Sequence, residues 1–488
     1  MVIESLKYKI LQQFGFAPTQ EQGQALDTFV SFMTDRDPQA VMILRGSAGT
    51  GKTSLSGAIV RTLLQIRQKV MLLAPTGRAA KVFSLGSGAP AYTIHRRIYR
   101  EKAFAGVDGQ FSLNDNLYTD TLFMVDEASM IANMGLGGTT FGSGCLLDDL
   151  VKFVYQGHND RLLLIGDKAQ LPPVGEEESP ALSASVMEGY GLKVYEFDLN
   201  EVLRQSQSSG ILYNATLIRQ MITHDAVTGL PLIRFKGFAD IVMMPGAELV
   251  ESLGDSYHHV GMDETMVITR SNKRANIYNN GIRNMVLDRE EELSSGDMLM
   301  IVKNNYFWTE KEKKESGEGS AGAVPAFLAN GDRAKVLRVS NYIELYGFRF
   351  ATLLLQLPDY DDYEMQVTGM LDTLQSEAPA LTHEQQEELF RQVEEDYQHF
   401  VPLKADRMKS IRQDAYFNAL QIKYAYAVTC HKAQGGQWAH VYVDQGYMTD
   451  DMLTPDYIHW LYTAFTRATD KLFLVNWPKE QTCEPTDL

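Results

Sequence analysis

Short, nearly continuous apolar runs recur along the first half of the chain and alternate with segments of helical periodicity. These runs occupy residues 40–44, 69–74, 121–126 and 161–166. Each run ends in a loop that carries Gly, Pro or acidic residues. Strands buried on both faces have this pattern, so it predicts βαβ units and a parallel sheet whose ligands bind at the carboxyl ends of the strands. Similar runs at 264–269, 440–444 and 471–475 predict a second α/β domain built from non-contiguous pieces.

Two stretches interrupt this alternation and predict insertions. One is Gly-rich and polar and lacks apolar periodicity, and the other contains β-rich runs followed by a helical, strongly acidic segment. The length of 488 residues suggests three or four domains, which agrees with two α/β domains and two insertions. The predicted parts are a first α/β domain (1–84 and 118–235), a first insertion (85–117), a second α/β domain (236–296 and 422–488) and a second insertion (297–421).

The net charge of −17 argues at first against a nucleic-acid ligand, because a polyanion is repelled on average. Between Asp359 and Asp396, however, twelve acidic residues stand against one arginine, so this segment holds eleven of the seventeen net negative charges. Such a run is most often a solvated helix face. The stretch from His95 to Lys102, in contrast, carries four Lys and Arg residues and one Glu. The overall charge therefore does not exclude nucleic acid.

Three cysteines, none of them in a CxxC pair, are too few for a disulfide scaffold and indicate a reducing compartment. The N-terminal segment has no long apolar region followed by a small-residue cleavage site. No stretch approaches the roughly 18 apolar residues that a membrane helix requires. The sequence therefore predicts no signal peptide, no membrane span and a cytoplasmic location.

The segment after the first apolar run matches GxxxxGK[ST] and is followed by a helical pattern. It consists of Gly46, Ser47, Ala48, Gly49, Thr50, Gly51, Lys52 and Thr53. Glycines allow backbone N–H groups to curl around phosphate oxygens, and the helix N-terminus adds its positive dipole end. In such a loop the lysine, here Lys52, contacts the β- and γ-phosphates, and the Thr53 hydroxyl is a ligand for Mg²⁺. The pattern predicts that the chain binds ATP and Mg²⁺.

Two later strand ends carry the groups that a nucleotide-hydrolysing site needs. Asp126 and Glu127 close the run at 121–126, where Asp126 can bind Mg²⁺ and Glu127 can polarise the attacking water. An Asp-Glu pair at a strand end is otherwise most often a helix cap. Gln170 follows the run at 161–166, where its amide can bond a γ-phosphate or the attacking water.

With these motifs the chain resembles the 1B group of superfamily 1 helicases, which includes RecD-type and Dda-type DNA helicases. The resemblance rests on eight motifs in the family's order. They lie at Thr19–Gln22, Gly46–Thr53, 73–80, 125–129, 166–174, 199–205, 428–437 and 461–472. The segments 296–306 and 329–337 are similar to the beginning of the RecD-type barrel insertion. Each motif alone is weak, but their order over nearly the whole chain is specific.

The resemblance implies an α/β fold with two RecA-like P-loop domains, 1A and 2A, and ATP in the cleft between them. It makes the first insertion a 1B domain with a β-hairpin pin, and the second a 2B domain with a Src-homology-3-like β-barrel. The acidic helical segment after the barrel resembles the tower of Dda-type enzymes. The family's nucleotide contacts correspond to Gln22, which would read adenine, and to Gly435. Its two arginine fingers correspond to Arg204 and Arg467.

The same resemblance assigns contacts with single-stranded DNA and with its junctions with duplex DNA. The motif residues that would grip the strand are Pro75, Thr76, Thr429, His431 and Lys432. His95 and Asn272 correspond to further family contacts, although a lone histidine is more often a packing residue. Phe111 lies in the predicted pin, where it is either the small core of the hairpin or a wedge that splits the duplex.

The leading hypothesis is a DNA helicase that hydrolyses ATP and moves 5′ to 3′ along single-stranded DNA, with the polarity taken from the family. An RNA-directed helicase of the same group is an alternative, because phosphate and stacking contacts do not exclude RNA. A RecD-like subunit of a larger recombination complex is another, with the tower as a surface for protein partners. A purely regulatory NTP-binding module is disfavoured by the combination of Lys52, Asp126, Glu127, Gln170 and Arg467.

Overall fold

The computed structural model describes residues 2–104, 109–134, 142–201, 208–223, 229–316, 324–325, 327–401 and 403–483. The chain divides into two compact units, which we call unit 1 (Met1–Gly246 with Ala433–Leu488) and unit 2 (Ala247–Lys432). No helix among these described residues combines the length and the apolar character that crossing a bilayer requires.

Strands and helices alternate along most of the described chain. The strands are β1 (Ala40–Gly46), β2 (Lys69–Ala74), β3 (Ala91–Thr93), β4 (Tyr99–Phe104), β5 (Gly109–Leu113), β6 (Thr121–Val125), β7 (Arg161–Gly166), β8 (Lys193–Leu199), β9 (Ile241–Met244), β10 (Thr265–Thr269), β11 (Met298–Ile301), β12 (Arg333–Leu345), β13 (Phe348–Leu357), β14 (Tyr363–Met370), β15 (Leu420–Tyr424), β16 (Ala427–Thr429), β17 (Trp438–Asp444) and β18 (Ala468–Val475). The helices are α1 (Val2–Phe14), α2 (Gln20–Thr34), α3 (Lys52–Gln65), α4 (Gly77–Ser87), α5 (Ile94–Ile98), α6 (Leu146–Gln156), α7 (Ala184–Gly189), α8 (Gly210–Thr223), α9 (Leu249–His259), α10 (Asn272–Gly281), α11 (Phe307–Ser316), α12 (His383–Gln398), α13 (Lys404–Arg412), α14 (Cys430–Ala433) and α15 (Pro455–Phe465). The apolar runs that predicted strands are all strands, namely β1, β2, β6, β7, β10, β17 and β18.

Unit 1 contains a six-stranded sheet in the order β3-β2-β6-β7-β1-β8, and its strands are parallel. The central strands β1, β6 and β7 are buried along their whole length. Alternate side chains of β1 enter two different cores, since Met42 and Leu44 join one cluster whereas Val41 and Ile43 join the other. Burial on both faces is the reason why these strands read as continuous apolar runs.

The first predicted insertion contains two kinds of structure. Strand β3 pairs with β2 and is an edge strand of the six-stranded sheet. Strands β4 and β5 form an antiparallel hairpin. Phe111 and Leu113 of β5 pack against the core cluster that contains Phe123 and Phe153. The hairpin that the resemblance implies is therefore present, and it is attached to the sheet by apolar contacts.

A second set of parallel strands in unit 1 consists of β17, β18 and β9, with β18 in the middle. Helices α8 and α15 pack on β18, and α15 also packs on β17. The fully buried aromatic residues Trp438, Tyr442 and Phe465 belong to this region. Strand β9 was not among the predicted strands, because its four residues are too short to form a recognisable run.

Unit 2 contains the parallel pair β10–β16 and a closed barrel formed by β11, β12, β13, β14 and β15. The barrel strands pair antiparallel except for β14 and β15, which are parallel. Leu299, Leu353 and Ile422 fill its interior and are fully buried. The RecA-like parallel sheets flanked by helices and the barrel insertion are therefore both present, as the resemblance implies.

The acidic segment from Asp359 to Asp396 was predicted to be helical, which is correct from His383 onward but wrong for the part that contains β14. Its first part contains β14, in which Met365 and Val367 alternate inward as barrel residues. The helical part begins at His383, where Thr382 and Gln385 form a capping box. Helix α12 then packs through apolar residues on the barrel and on α13. The acidic charge is thus shared between the barrel and one exposed helix.

Candidate nucleotide-binding site

The GxxxxGK[ST] segment forms the turn between β1 and α3. Gly49 and Gly51 have φ angles of 79° and 82°, a left-handed region that favours glycine. A Cβ atom on Gly46 would lie 2.9 Å from Cγ of Lys52. These three glycines therefore let the backbone curl tightly around the lysine side chain, which is the geometry of a phosphate-binding loop.

Lys52 lies inside this loop. Its Nζ atom donates to the carbonyl of Gly46 and, at 3.1 Å, to the carbonyl of Ser47. The Thr50 hydroxyl donates to the same Ser47 carbonyl at 2.8 Å. The ammonium group is therefore held in the concave side of the loop, where a polyphosphate would meet it.

Asp126 and Glu127 follow β6 at the carboxyl edge of the sheet. The Asp126 N–H donates to the Leu73 carbonyl at 3.0 Å, and the Glu127 N–H donates to Oδ1 of Asp126 at 2.9 Å. Glu127 has a φ angle of 53°, which is unusual for a residue with a Cβ atom and occurs preferentially at functional sites. Burial and, secondly, the charge of Glu127 raise the pKa of Asp126 to about 7, while the charge of Lys52 opposes the shift.

The oxygen donors at this edge fit a Mg²⁺ ion. Thr53 is exposed on the first turn of α3, and Asp126 offers a carboxylate whose ionisation burial disfavours. A divalent cation bound there would favour the ionised carboxylate, and Mg²⁺ in nucleotide sites commonly uses one or two protein oxygens together with phosphate oxygens. Thr53 and Asp126 are therefore a suitable ligand pair.

Gln170 presents a polar atom that needs a partner. The residue is 7% exposed, and among the described residues no hydrogen-bond donor reaches its buried Oε1 atom. Leaving such an acceptor unpaired costs about 1–3 kcal/mol, so a ligand that supplies a donor is favoured. An attacking water is such a donor, which agrees with the role predicted for Gln170.

Tyr462 joins the phosphate-binding loop to the loop that contains Gln170, a connection that sequence analysis missed. The Ala48 N–H donates to the Tyr462 hydroxyl at 2.9 Å, and the hydroxyl donates to Oδ2 of Asp167 at 2.6 Å. Burial, followed by the Asp167 charge, raises the pKa of Tyr462 far above its usual range, so the hydroxyl keeps its proton. Helix α15 is buried on nearly all sides, so its sequence has no periodicity that could single out Tyr462.

Three further side chains hold the loop at 167–171. The Thr463 hydroxyl accepts from the Leu171 N–H at 2.8 Å, and the Gln434 amide donates to the Leu171 carbonyl at 2.7 Å. Nδ1 of His459 lies 3.0 Å from the Ala169 carbonyl. These three side chains thus bind main-chain atoms of the loop at 167–171, in addition to the contact that Tyr462 makes with Asp167.

Replacing Tyr462 with phenylalanine is expected to lower the turnover number for ATP about ten- to hundredfold. The change leaves the Ala48 N–H without its acceptor and Asp167 without one donor, which costs about 1–3 kcal/mol. Steady-state hydrolysis and thermal unfolding would be measured together. Tyr457→Phe is the matched control, because Tyr457 lies on the same helix and its hydroxyl donates to Gln445. Equal losses of turnover in both variants would contradict the prediction.

Arg467, one of the two predicted arginine fingers, forms its hydrogen bonds away from the phosphate-binding loop. Arg467 is 2% exposed, and its donors bond the Thr463 carbonyl at 3.0 Å, the Gly436 carbonyl at 3.1 Å and the Thr466 hydroxyl at 3.1 Å. Arg204 lies outside the described residues. Both fingers stay predictions, and Arg467 would have to exchange these bonds to reach a phosphate. Arg219 of α8, in contrast, does reach the loop and donates to the Ser47 hydroxyl.

Gln22 and Gly435, the two other residues predicted to contact the nucleotide, contact protein groups in the structure. Gln22 is buried, accepts from the Thr19 N–H at 3.0 Å and donates to the Thr50 carbonyl at 3.0 Å. It thereby caps α2 and supports the phosphate-binding loop, and its adenine contact stays a prediction. Gly435 has a φ angle of 73° and packs closely on Thr76 at the start of α4, so the structure places it beside motif Ia.

The predicted DNA contacts of unit 1 lie on and around α4 and α5. Pro75 and Thr76 follow β2 and are half-buried, and the Thr76 hydroxyl caps α4 by accepting from the Ala79 N–H at 3.2 Å. His95 is half-buried beside Tyr99, and burial lowers the pKa of His95 to about 4, so its ring is neutral at neutral pH.

Phe111 packs against the core cluster of the first sheet, and its two predicted roles, as the small core of the hairpin or as a wedge, stay predictions. The basic stretch beside the hairpin is also partly engaged. The Arg100 guanidinium pairs with Asp115 at 3.0 Å, and the Arg97 guanidinium lies 3.7 Å from the Tyr92 ring centre. The Asp115 carboxylate therefore offsets part of the positive charge of this stretch.

The predicted DNA contacts of unit 2 lie at the ends of its parallel strands. Asn272 begins α10, and its amide donates to the Glu377 carbonyl at 3.2 Å. Thr429 ends β16, and His431 and Lys432 follow on α14. Burial lowers the pKa of Lys432 to about 8. These residues therefore share one edge of the β10–β16 pair, as expected for a ligand site of a parallel sheet.

Two family models match the chain. A model described as an AAA domain matches residues 17–229, and a model described as a UvrD-like helicase C-terminal domain matches residues 424–475. The first covers Lys52, Glu127 and Gln170, and the second covers the motifs that contain Lys432 and Arg467.

Similar proteins come from archaea, viruses and bacteria. An uncharacterized protein of Methanocaldococcus jannaschii is 33% identical over 168 residues, which are 32% of this chain and 13% of that protein. An uncharacterized protein of Acanthamoeba polyphaga mimivirus is 22% identical over 90% of this chain and 96% of its own length. The ATP-dependent RecD2 DNA helicase of Deinococcus radiodurans is 30% identical over 157 residues, which are 32% of this chain and 18% of that protein. The matches thus span less than a fifth of the archaeal and bacterial relatives.

Solved structures of Pif1 helicases are similar over most of the chain. The Bacteroides protein in complex with ADP-AlF3 and single-stranded DNA has a TM-score of 0.45 at 13% identity, over 96% of this chain and 95% of that chain. The Candida albicans protein has a TM-score of 0.41 at 17% identity, over 96% and 97%. Together with the ordered motifs, the two family models and the similarity to the RecD2 helicase support a RecD-like helicase of superfamily 1B.

Proposed function

We propose that the chain is an ATP-dependent DNA helicase that moves 5′ to 3′ along single-stranded DNA. The observation that carries the proposal is the junction of the phosphate-binding loop, the Gln170 loop and α15 through Tyr462. The similarity to the ATP-dependent RecD2 DNA helicase of Deinococcus radiodurans supports the choice of DNA over RNA.

In the proposed hydrolysis step, positioning and charge neutralisation provide most of the catalysis. Lys52 would contact the β- and γ-phosphates from inside the loop. Thr53 and Asp126 would hold Mg²⁺, which neutralises phosphate charge when bound. Glu127 would accept the proton of the attacking water, and Oε1 of Gln170 would orient that water.

The contacts between α15 and the loop at 167–171 provide a route from hydrolysis to movement. Tyr462, Thr463 and His459 all bind that loop or its flank, so a change at the γ-phosphate can be transmitted to the second set of strands. In a translocase such a nucleotide-dependent change alternates the grip on the strand. The domain boundaries predicted from the sequence, including the 1B pin and the 2B tower, remain part of this proposal.

Unwinding of tailed duplexes tests the function directly. Substrates with a 5′ overhang, a 3′ overhang or blunt ends would be incubated with ATP, with Lys52→Ala as the inactive control. We expect unwinding of the 5′-tailed duplex alone, together with hydrolysis that single-stranded DNA stimulates strongly. Unwinding from the 3′ tail alone would refute the polarity. Stronger stimulation of hydrolysis by oligo-U than by oligo-dT would refute the choice of DNA.

Raising the pH from about 7 to about 9 is expected to weaken the binding of single-stranded DNA through Lys432. The pKa of Lys432 is lowered to about 8 by burial, so its ammonium is charged at the lower pH and mostly neutral at the higher pH. Fluorescence anisotropy at constant ionic strength would measure the affinity. Lys432→Arg keeps its charge throughout this range and should flatten the dependence. An unchanged pH dependence in that variant would rule out Lys432 as the titrating contact.

The proposal includes the cytoplasmic location predicted from the sequence. Single-stranded DNA and its junctions with duplex are the proposed partners. Protein partners are left open.

A further inference from the structure

Arg219 is a positively charged residue at the phosphate-binding loop, and it lies outside all of the family motifs. It lies on α8, is half-buried, and its Nη1 atom donates to the Ser47 hydroxyl. The two residues are 172 positions apart in the chain. The contact therefore depends on how α8 packs beside the loop.

Two cations converge on Ser47. The Lys52 ammonium donates to its carbonyl at 3.1 Å, and the Arg219 guanidinium donates to its hydroxyl. The positive charge of Arg219 also favours the ionised form of Tyr462, whose hydroxyl bonds the next residue of the loop, Ala48. Arg219 therefore lies close to the segment from Ser47 to Ala48.

The position of Lys52 indicates which end of a nucleotide Arg219 would meet. A lysine in this motif contacts the β- and γ-phosphates rather than the nucleoside. A second cation bound to the same residue as Lys52 lies at that end too. A guanidinium has five N–H donors in a planar fork that matches phosphate oxygens.

The partner of Arg219 in this structure is easily exchanged. Ser47 offers a neutral hydroxyl, whereas a phosphate oxygen offers a charged acceptor and a hydrogen bond roughly twice as strong. Arg467, in contrast, is buried and distributes its donors over acceptors of Thr463, Gly436 and Thr466. Arg219 is therefore better placed than Arg467 to bind a phosphate without a rearrangement.

We propose that Arg219 contacts the γ-phosphate of bound ATP and is a further catalytic residue of this site, which makes the site prefer a triphosphate over a diphosphate. The inference rests on the proposed function only in assuming that the loop binds ATP. It does not require movement on DNA.

Nucleotide binding tests the inference without relying on turnover. Fluorescent derivatives of ADP and of a non-hydrolysable ATP analogue would be titrated into the wild-type protein, Arg219→Ala, Arg219→Lys and Ser47→Ala. For Arg219→Ala we expect the Kd of the ATP analogue to rise about tenfold or more, which is the size of one charged hydrogen bond, with the Kd of ADP changed less than about twofold. Arg219→Lys should give an intermediate ratio of the two Kd values.

Ser47→Ala separates a phosphate contact from a role in shaping the loop. It removes the acceptor but keeps the cation, so the ratio of the two Kd values should stay close to that of the wild type. The inference is wrong if Arg219→Ala weakens both nucleotides equally, leaves both unchanged, or is reproduced by Ser47→Ala. A wild-type protein that binds both nucleotides but does not unwind DNA would contradict the proposed function alone.

Discussion

Replacing Glu127 with glutamine is expected to lower ATP turnover by roughly 10²–10⁴-fold, which is the usual contribution of a general base. Glutamine keeps the shape of the side chain and its N–H bond to Asp126, but it cannot accept the proton of the attacking water. Nucleotide affinity should therefore stay close to that of the wild-type protein. Hydrolysis in the presence of single-stranded DNA would be measured beside equilibrium binding of an ATP analogue.

Glu188→Gln is a suitable control for this experiment, because Glu188 is exposed at the end of α7. It removes the same charge from unit 1 without touching the nucleotide site. Turnover of Glu127→Gln within threefold of the wild type would remove Glu127 from the mechanism. A parallel loss of nucleotide binding would assign Glu127 to positioning of the loop or the metal instead.

Replacing Asp297 with alanine is expected to destabilise unit 2 by about 3–5 kcal/mol, the usual cost of leaving buried charges without their partner. Asp297 is 0% exposed and directly precedes β11 of the barrel. Its carboxylate accepts from Arg283 at 3.0 Å and from Arg289 at 2.6 Å. It also accepts from the Tyr426 hydroxyl at 2.7 Å.

Removing the Asp297 carboxylate would leave the guanidinium groups of Arg283 and Arg289 without this partner, and that of Arg283 is almost fully buried. Urea unfolding followed by circular dichroism would give the free energy of unfolding. Glu292→Ala is the matched control, because its partner Arg349 is 47% exposed and such a pair contributes about 1 kcal/mol or less. If Asp297→Ala lowers the free energy of unfolding as little as the control does, then water or a rearrangement compensates the charges of Arg283 and Arg289.

The central strands of the parallel sheets could be predicted because both of their faces are buried. A run such as 161–166 is apolar at nearly every position, and it is a fully buried strand in the structure. The phosphate-binding loop could be predicted equally well, since its glycines and Lys52 lie within eight residues and their spacing follows from local backbone geometry. Burial on both faces and close spacing along the chain are properties that a linear sequence displays.

The partners of the site residues could not be predicted in this way. Tyr462 and Ala48 are 414 positions apart, and α15 is apolar on nearly all sides, so no pattern marks the tyrosine. The packing of Phe111 on the core cluster of the first sheet could not be predicted either, because the residues of that cluster are distant in the chain. The acidic segment looked uniform in charge, yet its first part contains the barrel strand Tyr363–Met370, whose residues alternate between buried and exposed.

By itself, the sequence determined the central parallel strands, the position of the phosphate-binding loop and the order of the motifs. The tertiary structure decided which groups surround that loop: it brings Arg219 to Ser47 and Tyr462 to Ala48, whereas Arg467 bonds Thr463 of α15. The physical reason is the range of the interactions. Strand burial and loop curvature arise from residues close together in the chain, whereas the partner of a polar side chain depends on the packing of distant elements.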